Sequence, residues 1–163
     1  SGSGTHSGHH LALLQLQHLT GSQFTYIPAT GAAPSVANFL GGHSQVLMAN
    51  SNDLLAHEAE MKVLAIGTEE RFPQLSDVPT FIEEGVQMTA GIDRGVAVPP
   101  STPDEVVAAL EAAFAEVSSD PEFRSEMDEL GFVTHSIGAQ EFAAYIEQKS
   151  QEIETVLREL GEI

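Results

Sequence analysis

Short, almost wholly apolar runs alternate along the first part of the chain with segments that start on capping residues and carry a helical stripe. "QVLMA" (45–49) and "MKVLAIG" (61–67) are too apolar to leave one face in water, so each suits a strand covered on both sides. "QFTYIP" (23–28) alternates and is rich in aromatic and β-branched residues, as strands are. Before it, "GHHLALLQLQHLTG" follows Ser7, a natural N-cap, presents Leu11, Leu14 and Leu16 with Leu13 filling out the face, and stops at Gly21. "ATGAAPSVANFLGG" reads as a turn and a short helix with Val36, Phe39 and Leu40 inward, and "SNDLLAHE" as a helical turn. This β-α-β-α-β order predicts an α/β fold with a mostly parallel sheet and flanking helices.

Residues 68–92 hold two prolines, a helical turn at Pro79–Glu84 and no long periodic run, so they read as a connecting segment and lobe boundary. Beyond them "RGVAVP" (94–99) is predicted as a strand. "STPDEVVAALEAAFAEVSS" follows as a helix with Thr102 as N-cap, Pro103 at its first position and Glu105 completing a capping box. Its inner stripe is Val106, Leu110, Phe114 and Val117. "DPEFRSEMDELG" repeats the Asp-Pro start and Gly stop, "FVTHSI" (132–137) reads as a strand, and "GAQEFAAYIEQKSQEIETVLREL" as a long amphipathic helix.

Charge narrows the function. The chain carries 24 acidic and 6 basic residues, a net charge of −18, which argues against nucleic acid and anionic membranes as partners. Residues 1–61 contain no Lys or Arg and only Asp53, Glu58 and Glu60 as acids, so most of the negative charge lies beyond them. Two readings of the acidity stand side by side: a halophile-like surface, or an ordinary acidic one. No run of eighteen apolar residues and no charged-then-apolar leader occurs, so neither a membrane span nor a signal peptide is expected in this chain. With no cysteine, disulfides, thiolate nucleophiles and Cys-ligated zinc are absent.

Helix starts beside small neutral donors recur at Ser7-Gly8, Thr30-Gly31-Ala32-Ala33 and Asn50-Ser51-Asn52. In a parallel α/β sheet such ends lie near the carboxyl ends of strands, where free N–H groups and the helix dipole receive carboxylate or phosphate without a cation. Taken singly, each is an ordinary cap. The opening "SGSGTHSGHH" is a tag, a metal site or half of an anion cradle. Of His6, His9 and His10, positions 6 and 10 or 6 and 9 could share a helix face, but no H-E-x-x-H pattern accompanies them and no metal site is assigned. There is no G-x-S-x-G elbow, no ordered triad, no P-loop lysine and no complete dinucleotide fingerprint, so neither a hydrolase nor a nucleotide-binding protein is expected.

Several longer blocks carry a resemblance. In order, "SGTHSGHHLA", "YIPATGAAPSVANFLGGHSQVLMAN", "MKVLAIGTEERFPQLSDVPTFIEEG", "VAVPPSTPDEVVAALEAAF", "SDPEFRSEMDELGF" and "AQEFAAYIEQKSQEI" resemble the tripartite tricarboxylate transporter substrate-binding proteins, the Bug-type extracytoplasmic solute receptors. The most specific pieces are P-x-x-G-x-A-P (Pro28, Gly31, Ala33, Pro34), the L-G-G before the strand ending at Asn50, the L-A-I-G-T-x-x-R-x-P-x-L-x-D-V-P-T block and the closing P-P-S-T-P.

The resemblance implies an α/β, periplasmic binding protein type II-like fold lacking most of the first lobe, since family members are longer and begin with that lobe. By this analogy residues 1–92 form the second-lobe ligand-binding region, and 93–163 are the returning segment that packs on the first lobe. It also implies an extracytoplasmic (periplasmic or cell-surface) protein that captures a small di- or tricarboxylate and hands it to a membrane permease, with no catalysis and no cofactor. The residues carried over to ligand binding are Ser3, Thr5, Ser7, Ala29, Thr30, Gly31 and Asn50. Ala29 and Ala49 replace the aromatic residue and the acid common in the family, which leaves ligand identity open, and His10 matches a family histidine in a structural or hydrogen-bonding role. The alternative is a truncated, repurposed fold acting as a self-associating interaction module without ligand. Apolar stripes left without their lobe would then be covered in a homo-oligomer.

Overall fold

A computed structural model describes residues 1–163. It divides into two compact units, one of Ser1–Ile92 with Ile153–Ile163 and one of Asp93–Glu152.

The first unit is built on a small parallel sheet. Strand β1 (Gly2–Ser3) pairs in parallel with β2 (Pro28–Ala29), Gly2 opposite Pro28 and Ser3 opposite Ala29. On its other side, the Ser1 nitrogen donates to Val46 O (2.6 Å) and Met48 N–H to Ser1 O (2.9 Å), so the 46–48 segment flanks β1 in the same sense. Helix α1 (Gly8–Thr20) follows β1 and ends where Gly21 turns left-handed at φ 69°. Helix α2 (Ala32–Leu40) follows β2, and the short α3 (Ser51–Ala56) follows the 46–48 segment. Leu13 and Leu14 of α1 and Val36 of α2 are buried, as expected, and Ala12 joins them, whereas Leu11, Leu16 and Phe39 are half-buried and Leu40 is exposed.

The rest of this core comes from the segment read as a connector. Ile66, Phe72 and Leu75 form a buried cluster, with Leu54 and Leu55 of α3 and Val78 packed against it. A single 3-10 turn at Pro73–Leu75 and the Thr80–Gly85 turn fold these residues inward. Thr80 is 1 % exposed; its N–H donates to Glu83 Oε2 (2.8 Å) while its Oγ accepts from Glu83 N–H (3.1 Å). Arg71 Nε donates to both Glu83 oxygens, and this pairing holds the Glu83 carboxyl below its usual range.

Several predicted strands are not strands here. Of 23–28 only Pro28 pairs as β, 61–67 contributes one parallel bridge between Ile66 and Thr80, and 94–99 and 132–137 pair with nothing. An apolar run announces a tendency to be covered, but a strand exists only where a neighbour takes its N–H and C=O groups. Helix-rich architecture around a small parallel sheet is the result.

The second unit holds α4 (Asp104–Ser119), α5 (Pro121–Glu129) and the first part of α6 (Ala139–Glu159). α4 starts one residue later than the Thr102 cap implies: Pro103 occupies the N-cap position, and its carbonyl accepts the first helical hydrogen bonds from Val106 and Val107. α5 starts as predicted, with Asp120 accepting from Glu122 N–H and Phe123 N–H, both at 2.9 Å. Glu111 Oε1 accepts Ala139 N–H at the start of α6 (3.0 Å), and Tyr145 Oη donates to Asp93 Oδ2 (2.6 Å). The α4 stripe of Val106, Leu110, Phe114 and Val117 is exposed, as are Val96 and Val133.

Candidate functional site

Ser3 ends β1, and the turn Gly4–Ser7 leads into α1. Gly4 (φ 60°) and His6 (φ 55°) both take the left-handed conformation, which His6 adopts without glycine's freedom. Its N–H donates to His10 Nδ1 (3.1 Å), and His10 stacks on Tyr26 with ring centres 4.2 Å apart. Burial first, then the facing His6, hold His10 below the ordinary imidazole value, with Glu162 acting against them. Burial likewise pushes the Tyr26 phenol up.

Ser7 stands at the N-cap position of α1, but its hydroxyl does not cap the helix. It donates back to Ser3 O and Gly4 O, closing the turn. Ser7 therefore shapes the cradle, and its one hydrogen is spent there. Tyr26 Oη also donates to Ser3 O (3.3 Å).

Asn50 is the N-cap of α3. The Asp53 carboxylate accepts from Asn50 N–H (3.3 Å) and from Asn50 Nδ2 (3.1 Å). Between Asn50 and Ser3 lies His9, only 5 % exposed. Its Nε2 is 3.1 Å from Asn50 Oδ1, and its Nδ1 is 3.1 Å from Ser3 N and 2.9 Å from Ser3 Oγ.

The fold thus joins most of the residues singled out in the sequence. Ser3 faces Ala29 across the sheet, and Gly4 N–H donates to Ala29 O (2.8 Å). Thr30 and Gly31 continue from Ala29 into the N-terminus of α2, where Gly31 O accepts Ser35 N–H (3.2 Å). Asn50 joins through His9. Thr5 and Thr30 are exposed, so their hydroxyls face solvent. The N-termini of α1 and α2 supply partial positive charge and free N–H groups, and no lysine or arginine occurs in residues 1–61. The arrangement suits a small anion held by neutral donors.

His9 escaped the sequence reading, which gave the family role to His10. The signal was present: His9 stands three and four residues before Ala12 and Leu13, on the buried face of α1.

Comparison with known proteins identifies the fold and the family. A 24% identical relative, the UPF0065 protein in the gbd 5'region of Cupriavidus necator, matches over 155 residues, 93% of this chain and 47% of its own length. Among solved structures, a TctC solute binding protein from Polaromonas superposes with a TM-score of 0.75 at 28% identity, covering 97% of this chain and 56% of that one. An R. palustris protein solved with adipate reaches a TM-score of 0.82 at 26% identity, covering 95% and 53%. The chain spans about half the length of the curated relatives it matches. The fold is therefore a partial α/β periplasmic binding protein fold. A family model for the tripartite tricarboxylate transporter family receptor matches residues 1–162, and the chain belongs to that family of solute receptors, which is not an enzyme family.

Proposed function

We propose that this chain is the carboxyl-terminal half of an extracytoplasmic solute receptor that captures a small di- or tricarboxylate for a membrane permease of the tripartite tricarboxylate type. What supports the reading is that Ser3 at the end of β1, Thr30 and Gly31 before α2, and Asn50 at the start of α3, linked to Ser3 through His9, all lie in residues 1–61, which hold no Lys or Arg. Such a site holds carboxylates through N–H and O–H donors, and its specificity follows from the spacing between the carboxylates of the ligand. The adipate found in the R. palustris protein is a ligand of this chemical kind. Residues 1–92 are the second-lobe ligand-binding region in this proposal. Residues 93–163 are the segment that returns to a first lobe, and the exposed stripe of α4 is the surface that lobe covers.

Isothermal titration of the folded chain with adipate, citrate, malate, succinate and glutamate tests the reading. One of them is expected to bind, and Thr30→Ala is expected to weaken it. No heat from any carboxylate, with the chain folded by circular dichroism, removes the proposal that this half carries an autonomous site.

A further inference from the structure

We infer that His9 is the positioning residue of this cradle: held as its Nε2–H tautomer, it ties Ser3 to Asn50 and leaves one of two Ser3 donors surplus for an anion. The tautomer follows from the far end of the chain of hydrogen bonds. An ionised carboxylate only accepts, so the Asn50 group that meets Asp53 Oδ2 at 3.1 Å is the amide NH2. Asn50 Oδ1 is then the atom that meets His9, and it also only accepts. The hydrogen between them belongs to His9 Nε2 (3.1 Å), which leaves Nδ1 as the acceptor.

Nδ1 offers one in-plane lone pair, and two Ser3 donors stand within its reach, the N–H at 3.1 Å and Oγ at 2.9 Å. One hydrogen satisfies it. The other is left without a place on His9, whose ring is almost fully buried, while Ser3 itself is half-exposed. An arriving carboxylate oxygen takes the hydroxyl hydrogen while the backbone N–H stays on Nδ1, so the cradle accepts the ligand without losing its internal tie. His9 touches no ligand in this arrangement; it acts through Ser3 and Asn50. Only the nature of the anion rests on the receptor reading above, and the tie itself does not.

Long-range 15N–1H correlation spectra of the full chain, with His9 assigned by its disappearance in His9→Gln, report which ring nitrogen carries the hydrogen. A fixed Nε2–H tautomer is expected; an Nδ1–H or averaging ring overturns the tie. Asn50→Leu is expected to set the ring averaging, and a ring unchanged in a folded Asn50→Leu chain removes Asn50 from the relay. In titrations with adipate and malate, Ser3→Ala keeps its N–H on Nδ1, so a loss of about tenfold in affinity is expected with the His9 signals unmoved. Equal affinity overturns the surplus donor. If the unaltered chain takes up none of the five carboxylates named above yet shows the fixed tautomer, the receptor reading and the donor role fall while the tie is upheld.

Discussion

Replacing Phe72 by alanine tests whether residues 68–92 are core or connector. Phe72 is 4 % exposed and lies in the cluster with Ile66 and Leu75, against Leu54 and Leu55 of α3. Withdrawing a buried aromatic side chain from water contributes roughly 1.5–3 kcal/mol, and the cavity left by truncation raises the usual cost to about 3–5 kcal/mol. Leu64, eight residues earlier and 64 % exposed, provides the matched control: Leu64→Ala is expected to stay within about 0.5 kcal/mol. Urea unfolding of both variants, followed by circular dichroism, measures the difference. With a slope of about 1–3 kcal/mol per molar urea, Phe72→Ala is expected to move the midpoint down by at least about 1 M. The loss also reaches the site, because Leu54 and Leu55 sit on the helix that Asn50 caps, so carboxylate affinity is expected to fall with stability. A Phe72→Ala chain as stable as Leu64→Ala would refute the assignment of this segment to the core.

Three further outcomes are expected. Asp120→Ala removes the acceptor of two N–H groups at the start of α5 and is expected to cost about 1 kcal/mol, read as faster amide exchange at Glu122 and Phe123; unchanged exchange speaks against the cap. Tyr145 is pushed to about 12 by its hydrogen bond to Asp93, by burial and by the Asp93 charge. Because the folded value is raised, its contribution is fully present below pH 10 and lost as pH rises toward 12, so ultraviolet titration is expected to show late phenol ionisation that Asp93→Asn brings forward. Finally, with a net charge of −18, the thermal midpoint is expected to rise with sodium chloride between 0.1 and 1 M, as the screening length drops from about 10 to about 3 Å. A flat profile would show that self-repulsion does not limit stability.

Local chemistry made the helices legible in the sequence. Gly21 past the last turn of α1 and the Asp120-Pro121 start of α5 carry their own geometry, and the structure keeps both. Strands were legible only as apolar runs, because pairing depends on a neighbour that no window of sequence contains; 94–99 and 132–137 have none. The 68–92 segment was missed for a related reason. Its core residues Phe72, Leu75 and Thr80 follow neither a 3.6 nor a 2 period, since tight turns and the Thr80–Glu83 exchange of hydrogen bonds set their direction. At the site, the fold links Ser3, Ala29 and Asn50 through the β1–β2 pairing and His9, and turns the Ser7 hydroxyl back onto Ser3 O, contacts that no local pattern in the sequence displays. His9 was hidden by an adjacent histidine of the same chemistry on a different face of α1.

The placement of β1 between β2 and the 46–48 segment also governs when the cradle comes into being. Ser1 meets Val46 across 45 positions of chain and His9 meets Asn50 across 41, so both ties close long loops. Their entropy is lost before any of the contacts repay it, whereas α4 and α5 need only neighbours a turn away. By loop entropy alone, the local contacts of the Asp93–Glu152 helices are expected to form before the cradle, whose ties span 45 and 41 positions. Ser3 and His9, six residues apart, can meet early, but the two ends of the cradle are tied together only once the 41-residue loop between His9 and Asn50 has closed.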